Sequence, residues 1–352
     1  MRTAFLLSAL LAAVPALAGL TGRSGDNAPP LPHKTLFQFN ETGTFLENIV
    51  VRPNGDLVTT MFYPTASIYT LKEPYSAHPQ MGLIHTFEDA EALVGIAQTS
   101  PDTFVVAAAN FTTWPEPAPG SATLKEVMLD ADGELTGART IAHGPEAGLL
   151  NGVVAIPGLE GSAAILAADV RHGVVYRVEV ATGAYEVVLD VPETKATGGD
   201  AIQSSLGVNG LKIRAGYLYW SNTSKVTIFR IEIDESGYPV AGAEVETVGT
   251  VDNAISVDDF TFDAQGAIWV MTGFDNMLAT MQEDGTNAVV LGSPSELTIG
   301  GDTAGAFGNT VFDSDVLYIT TDGSMALPVN GTTEPAKLVA VNTRGGWSKV
   351  KI

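Results

Sequence analysis

An all-β chain folded as a six-bladed β-propeller is what this sequence predicts, and three observations carry the prediction. Short β-branched and aromatic runs alternate with turns containing Gly, Pro, Asn or Asp along nearly the whole chain. A phrase of several such runs recurs six times. The composition, with 37 Gly, 19 Pro and only 16% charged residues, supplies many turns, and no long amphipathic helical window interrupts them.

The phrase is clearest at residues 205–237, SLGVNGLKIRAGYLYWSNTSKVTIFRIEIDESG. An Asn-Gly step, LKI, a Gly turn, YLYW, a polar break and TIFRIEI make antiparallel strands joined by hairpins. Alternation sets Thr227, Phe229, Ile231 and Ile233 inward, against Ile228, Arg230, Glu232 and Asp234 towards water. One such unit cannot bury its apolar face alone, so copies must lie beside it.

In chain order, Met1 and Arg2, an apolar run from Ala4 to Val14, and Ala16-Leu17-Ala18 read as a secretory signal peptide (1–18) cut after Ala18. Residues 19–33 form a flexible lead rich in Gly, Pro and Asp. Residues 34–352 form a single propeller domain. KTLFQFN (34–40) is a strand with nothing before it to pair with, so the last blade borrows it and the ring closes without a free edge. The six copies follow at 44–71, 91–111, 149–189, 205–248, 256–285 and 304–342. A large β-sandwich, the rival architecture, predicts no recurring phrase.

Composition also removes whole classes of function. The chain has no cysteine, which excludes disulfides, thiolate metal sites and a Cys nucleophile. A formal charge of −22 repels phosphate backbones and anionic lipid, leaving a small molecule as the expected partner of a monomer or small homo-oligomer. No segment after the leader is apolar enough to span a bilayer. Four N-x-[ST] sequons, at Asn40, Asn110, Asn222 and Asn330, fit a protein of the secretory lumen or the exterior.

The chemistry-bearing residues are those that open each copy, because the first strand of a blade lines the central channel. They are Glu47-Asn48, Asn151-Gly152, Asn209-Gly210 and Asp258-Asp259. Taken singly, Asn-Gly steps are turn formers. Taken together, they bring oxygen-bearing side chains to one axis, a set suited to a hard cation such as Ca²⁺, whereas zinc or copper would want His or Cys. Asn48 and Asp259 are candidates to face the substrate. His172 follows Asp169-Val170-Arg171 in a loop, where it can protonate a leaving hydroxyl or simply face water. Trp114, Trp220, Trp269, Phe307 and Tyr63 are candidate walls of an apolar pocket, and Trp114 lies in a lid-like loop. Gly198-Gly199-Asp200 and Gly300-Gly301-Asp302 read as turns. The chain holds no G-x-S-x-G, H-E-x-x-H or Walker motif.

The phrases FLENIVVRPNGDLVTT, ALVGI, LLNGVVAI, GVNGLKI, SVDDFTFDAQGAIWV, and AFG followed by LYITTDG resemble the fungal, secreted branch of the propellers related to gluconolactonase and senescence marker protein 30. That resemblance implies a divalent ion held by Glu47, Asn151, Asn209 and Asp258, with Asp258 as general base or nucleophile. GIAQ (95–98) departs from the branch, which places an acidic residue last in that phrase. The chain is also similar to hetero-Diels-Alderases of natural-product gene clusters, which join a tropolone quinone methide to a terpene alkene. That likeness implies a cyclase needing no cofactor, although it can hold Ca²⁺. Its catalytic residues would be Asp258, Glu47 and His172, and its substrate contacts Asn48, Trp114, Asp259 and Phe307. A calcium-dependent lactonohydrolase and a non-catalytic secreted binding propeller are the alternatives.

Overall fold

The computed structural model describes residues 29–344 apart from 114–115, 145 and 159–163. The signal peptide, most of the lead and Trp114 lie outside the described residues. Among these residues there is no α-helix, only the 3-10 turns Pro192–Thr194 and Ile202–Ser205. Six four-stranded antiparallel sheets make up the rest, with one short two-stranded ribbon, Phe111–Thr113 with Glu116–Pro117.

Each sheet is one blade of a propeller. The innermost strands, in chain order, are Phe45–Val51, Ala92–Ser100, Leu150–Ala155, Val208–Arg214, Phe260–Phe262 and Asp302–Phe307. In blades one to five the strands run from the axis outwards in sequence order. The sixth closes as expected: its outermost strand is His33–Gln38, paired antiparallel with Lys337–Asn342 from His33 opposite Val341 to Gln38 opposite Lys337.

The core is divided in the same way. Six separate apolar clusters fill six blade-to-blade interfaces, from Ile68 and Leu93 between blades one and two to Leu46 and Tyr318 between six and one. Both faces of a blade are therefore covered. Hence Ile228, expected to face water, is fully buried and Arg230 on the same face is half-buried, while Glu232 keeps its exposure. Trp220 and Trp269 are buried in such interfaces, Trp220 stacked on Phe229 at 5.7 Å. Phe307, expected in the substrate pocket, instead meets Trp269 edge-on at 5.8 Å between blades five and six.

One irregularity repeats around the axis. Between Leu93 and Ile96, Leu150 and Val153, Val208 and Leu211, and Asp302 and Gly305, the inner strand advances three residues while its neighbour advances two. Blade one has the equivalent extra residue between Leu46 and Asn48. In blade five Asp258 donates its N–H to Met271 O at 2.8 Å, and Met271 donates back to Asp259 O at 3.1 Å. A one-residue bulge bends a strand and re-aims a side chain. Here it occurs at one level in all six blades and gathers Glu47, Val94, Asn151, Asn209, Asp258 and Thr303 into one ring.

Candidate active site

That ring is the floor of a cavity that, counted out into the solvent at its mouth, takes in about 860 Å³, at the end of the channel where the inner strands begin. All of its members but Val94 line the cavity. Asn151 Nδ2 donates to Glu47 Oε1 at 3.0 Å, and Asn209 Nδ2 donates to Asp258 Oδ1 at 2.7 Å. Thr303 Oγ1 donates to Leu46 O at 2.7 Å, tying blade six to blade one. The structure thus brings together the four predicted ligand-type residues and adds Thr303, which sequence reasoning missed.

Two carboxyl groups so enclosed resist ionisation. Burial pushes Glu47 up to about 8, helped by the nearby Asp322 and Asp259 charges and opposed by the Asn151 amide. Asp258 is also raised well above the carboxylate range, by burial first and then by Glu47 and Asp259. Asp322, at the cavity side of blade six, is raised to about 7 by burial despite three backbone N–H partners.

The walls are apolar. Phe45, Phe62, Leu149, Val170, Leu206 and Phe274 face the space, with Leu327 at its rim. Phe45 and Phe62 approach at 4.8 Å, and Phe62 and Phe111 at 5.3 Å, so an aromatic row leads from the wall to the strand Phe111–Thr113. A large apolar pocket with a few convergent polar groups is the usual form of a small-molecule site.

Several predicted residues lie elsewhere. His172 has an exposed side chain, with Nδ1 3.0 Å from the buried Asp169, and it does not line the cavity; its neighbour Arg171 does. Asn48 and Asp259 lie one level below the floor, joined at 3.2 Å, with Lys212 Nζ 2.6 Å from Asp259 Oδ1. They brace the channel beneath the cavity and are not among its lining residues. Tyr63 is exposed and outside the lining. Asp302 is no exposed turn: it opens the inner strand of blade six, fully buried, and takes the Thr272 N–H at 3.0 Å. Asn222, read as a glycan acceptor, is fully buried, and its Nδ2 donates at 2.9 Å to both Glu193 O and Lys195 O. Asn222 ends the strand Tyr217–Asn222, and both N–H bonds of its side-chain amide are engaged within the fold.

The ring has the chemistry of a site for a hard cation. Asn209 Oδ1 is a buried acceptor without a hydrogen bond, between Asn151 and Asp258 in the ring. Among the described residues no three His, Cys, Asp or Glu side chains gather as a metal site, so an ion here must also use amide oxygens.

No family model matches the chain. A protein of Phoma sp named "Putative hetero-Diels-Alderase" is 33% identical over 347 residues, covering 92% of this chain and 93% of that one. The chain belongs to the hetero-Diels-Alderase family. A second relative, "Putative hetero-Diels-Alderase asR5" of Sarocladium schorii, is 31% identical and covers 84% of this chain and 80% of its own. Solved structures extend the family's fold to distant six-bladed propellers. A luciferin-regenerating enzyme matches with TM-score 0.63 at 14% identity, over 92% of this chain and 99% of that one. A calcium-binding regucalcin of Agrobacterium tumefaciens matches with TM-score 0.58 at 16% identity, over 89% and 95%. At such identities these two speak for the fold of the hetero-Diels-Alderase chain and for nothing more.

Proposed function

We propose that the protein is a biosynthetic hetero-Diels-Alderase, closing a ring between an oxygen-bearing diene of the tropolone quinone methide kind and a terpene alkene. One observation carries the reading beside the family: a deep apolar cavity that ends on a compact floor of hydrogen-bonding groups. The reaction converts three π bonds into one π bond and two σ bonds, C–C and C–O, and loses no atom. Catalysis then consists of holding two apolar partners together, which can remove about 7–11 kcal/mol of the barrier. The apolar walls favour that binding by taking both partners out of water.

At the floor, a carboxyl group kept neutral by its surroundings donates its O–H to the carbonyl oxygen of the diene and draws electron density from it. In this reading Glu47 and Asp258 take the role, and the hydrogen bonds from Asn151 and Asn209 that hold them in position support it. The same acid serves the step that makes the diene. Its proton goes to a leaving hydroxyl, the C–O bond breaks and water departs, and the enolic proton of the substrate returns to the carboxylate.

The unpartnered Asn209 Oδ1 favours a second reading, a calcium-dependent lactonohydrolase. Glu47, Asn151, Asn209 and Asp258 would hold the ion, which when bound supplies a Lewis acid for a lactone carbonyl. One experiment separates the two. Purified protein with EDTA, a hydroxymethyl tropolone that releases the quinone methide, and humulene should give an optically active adduct faster than buffer does. A racemic adduct at the buffer rate, together with EDTA-sensitive opening of aldonolactones, would establish the second reading in its place.

We further propose that residues 1–18 direct the chain into the secretory pathway, with Asn40 and Asn330, both exposed, as glycan acceptors. Mass spectrometry of protein from a eukaryotic host should find Gly19 at the N-terminus and no sugar on Asn222.

A further inference from the structure

Among the described residues lining the cavity, Arg171 alone carries a positive charge, and three carboxyl side chains share the space with it. Its place is fixed from two sides. The Asp169 carboxylate takes the Arg171 N–H at 3.1 Å along with those of Gly148, Leu149 and His172, which sets the loop. A Cβ on Gly148 would fall 2.7 Å from Arg171 Cβ, so the absence of a side chain at 148 lets the stem lie down towards the pocket. The guanidinium donates through Nη1 to Ser205 Oγ at 2.6 Å, and its Nη2 lies 3.6 Å from Glu116 Oε1. Its side chain is 16% exposed while that of Glu116 is 68% exposed, so the ion pair is made at the rim with a carboxylate that water can readily claim.

A fixed cation in an apolar cavity is an anchor for a delocalised oxyanion, to which a guanidinium donates two parallel N–H bonds. We propose that Arg171 binds, in its anionic form, an acidic enol of the diene partner other than the oxygen that enters the new ring, and that Glu116 competes for the same guanidinium. This rests on the cycloaddition reading and narrows it, since a diene carrying such a group is held with its reactive carbons towards the aromatic row.

Tropolone is the probe, with 2-methoxytropone as its neutral counterpart and humulene as an apolar one, all bound to the full-length protein in EDTA and followed by calorimetry. Arg171→Leu should weaken tropolonate about 10- to 100-fold, the range of a lost charge-assisted pair, and leave 2-methoxytropone and humulene unchanged. Arg171→Lys should recover part of that loss. Glu116→Gln should tighten tropolonate, because it removes the competitor, whereas a residue that only straps the loops together would move affinity the same way when either end is cut. Same-direction shifts, or unchanged tropolonate binding in Arg171→Leu, overturn the proposal. Humulene bound without tropolonate in the unaltered protein overturns it and leaves the cycloaddition reading standing; binding of neither probe removes both.

Discussion

Two rings of side chains, one residue apart in sequence, lie on the propeller axis and do opposite things. The upper ring, Glu47, Asn151, Asn209, Asp258 and Thr303, faces the cavity and carries uncompensated electrostatic costs: raised carboxyl groups and an unpartnered amide oxygen. The lower ring, Asn48, Gly95, Gly152, Gly210 and Asp259, is closed. Its only carboxylate is matched by Lys212, and its glycines admit neighbouring atoms at distances no Cβ would allow. Groups that strain the fold sit where a substrate can use them, and groups that hold it sit directly beneath.

Substitutions that break this contrast should differ in kind as well as size. The largest effect belongs to the lower ring. A Cβ at Gly95 would fall 1.9 Å from Asn151 O, and one at Gly152 2.2 Å from Asn209 O, both main-chain atoms that cannot step aside. Gly95→Ala and Gly152→Ala should each cost at least about 4 kcal/mol in urea unfolding, or prevent folding. Lys212→Met leaves Asp259 buried with only neutral partners; because Lys212 is itself partly exposed, the loss should be nearer about 2 kcal/mol, and adding Asp259→Asn should restore part of it. In the upper ring the order reverses. Glu47→Gln and Asp258→Asn should keep or raise the melting temperature while lowering turnover about 10²- to 10³-fold.

The contrast also has a pH signature. Carboxyl groups raised in the folded state bind protons that the unfolded chain has released, so their contribution is lost as pH climbs through the folded values. With Asp322 raised from 3.8 to about 7 and Glu47 from 4.5 to about 8, the melting temperature should fall as the pH rises from about 4 to about 8 and level off above that, and Glu47→Gln should flatten the slope. The smallest effect is at His172, exposed and outside the cavity: His172→Ala should change turnover less than about twofold.

The blades were legible because each interface repeats the same short strands and turns, and a repeat declares its own period. The four oxygen-bearing residues were legible for the same reason, since they open equivalent strands. What escaped was the step between adjacent residues. Alternation alone cannot say that a bulge aims Glu47 and Asp258 at the cavity and leaves Asn48 and Asp259 below it. Thr303 escaped because Gly300-Gly301-Asp302 looks like a turn, yet Asp302 opens a strand and places Thr303 on the floor. In the 169–172 loop, four N–H groups on one buried carboxylate decide that Arg171 rather than His172 reaches the pocket. The walls were least legible, since Phe45, Phe62, Phe274 and Leu327 come from three different blades and meet only when the ring closes.

The most direct measurement is the optical purity of the adduct made by unaltered protein and by a Glu47→Gln, Asp258→Asn double variant that remains folded. Chemistry on the upper ring predicts one enantiomer from the first and a nearly racemic, background-rate product from the second. An adduct of equal rate and optical purity from both would place the reaction somewhere other than the floor of this cavity.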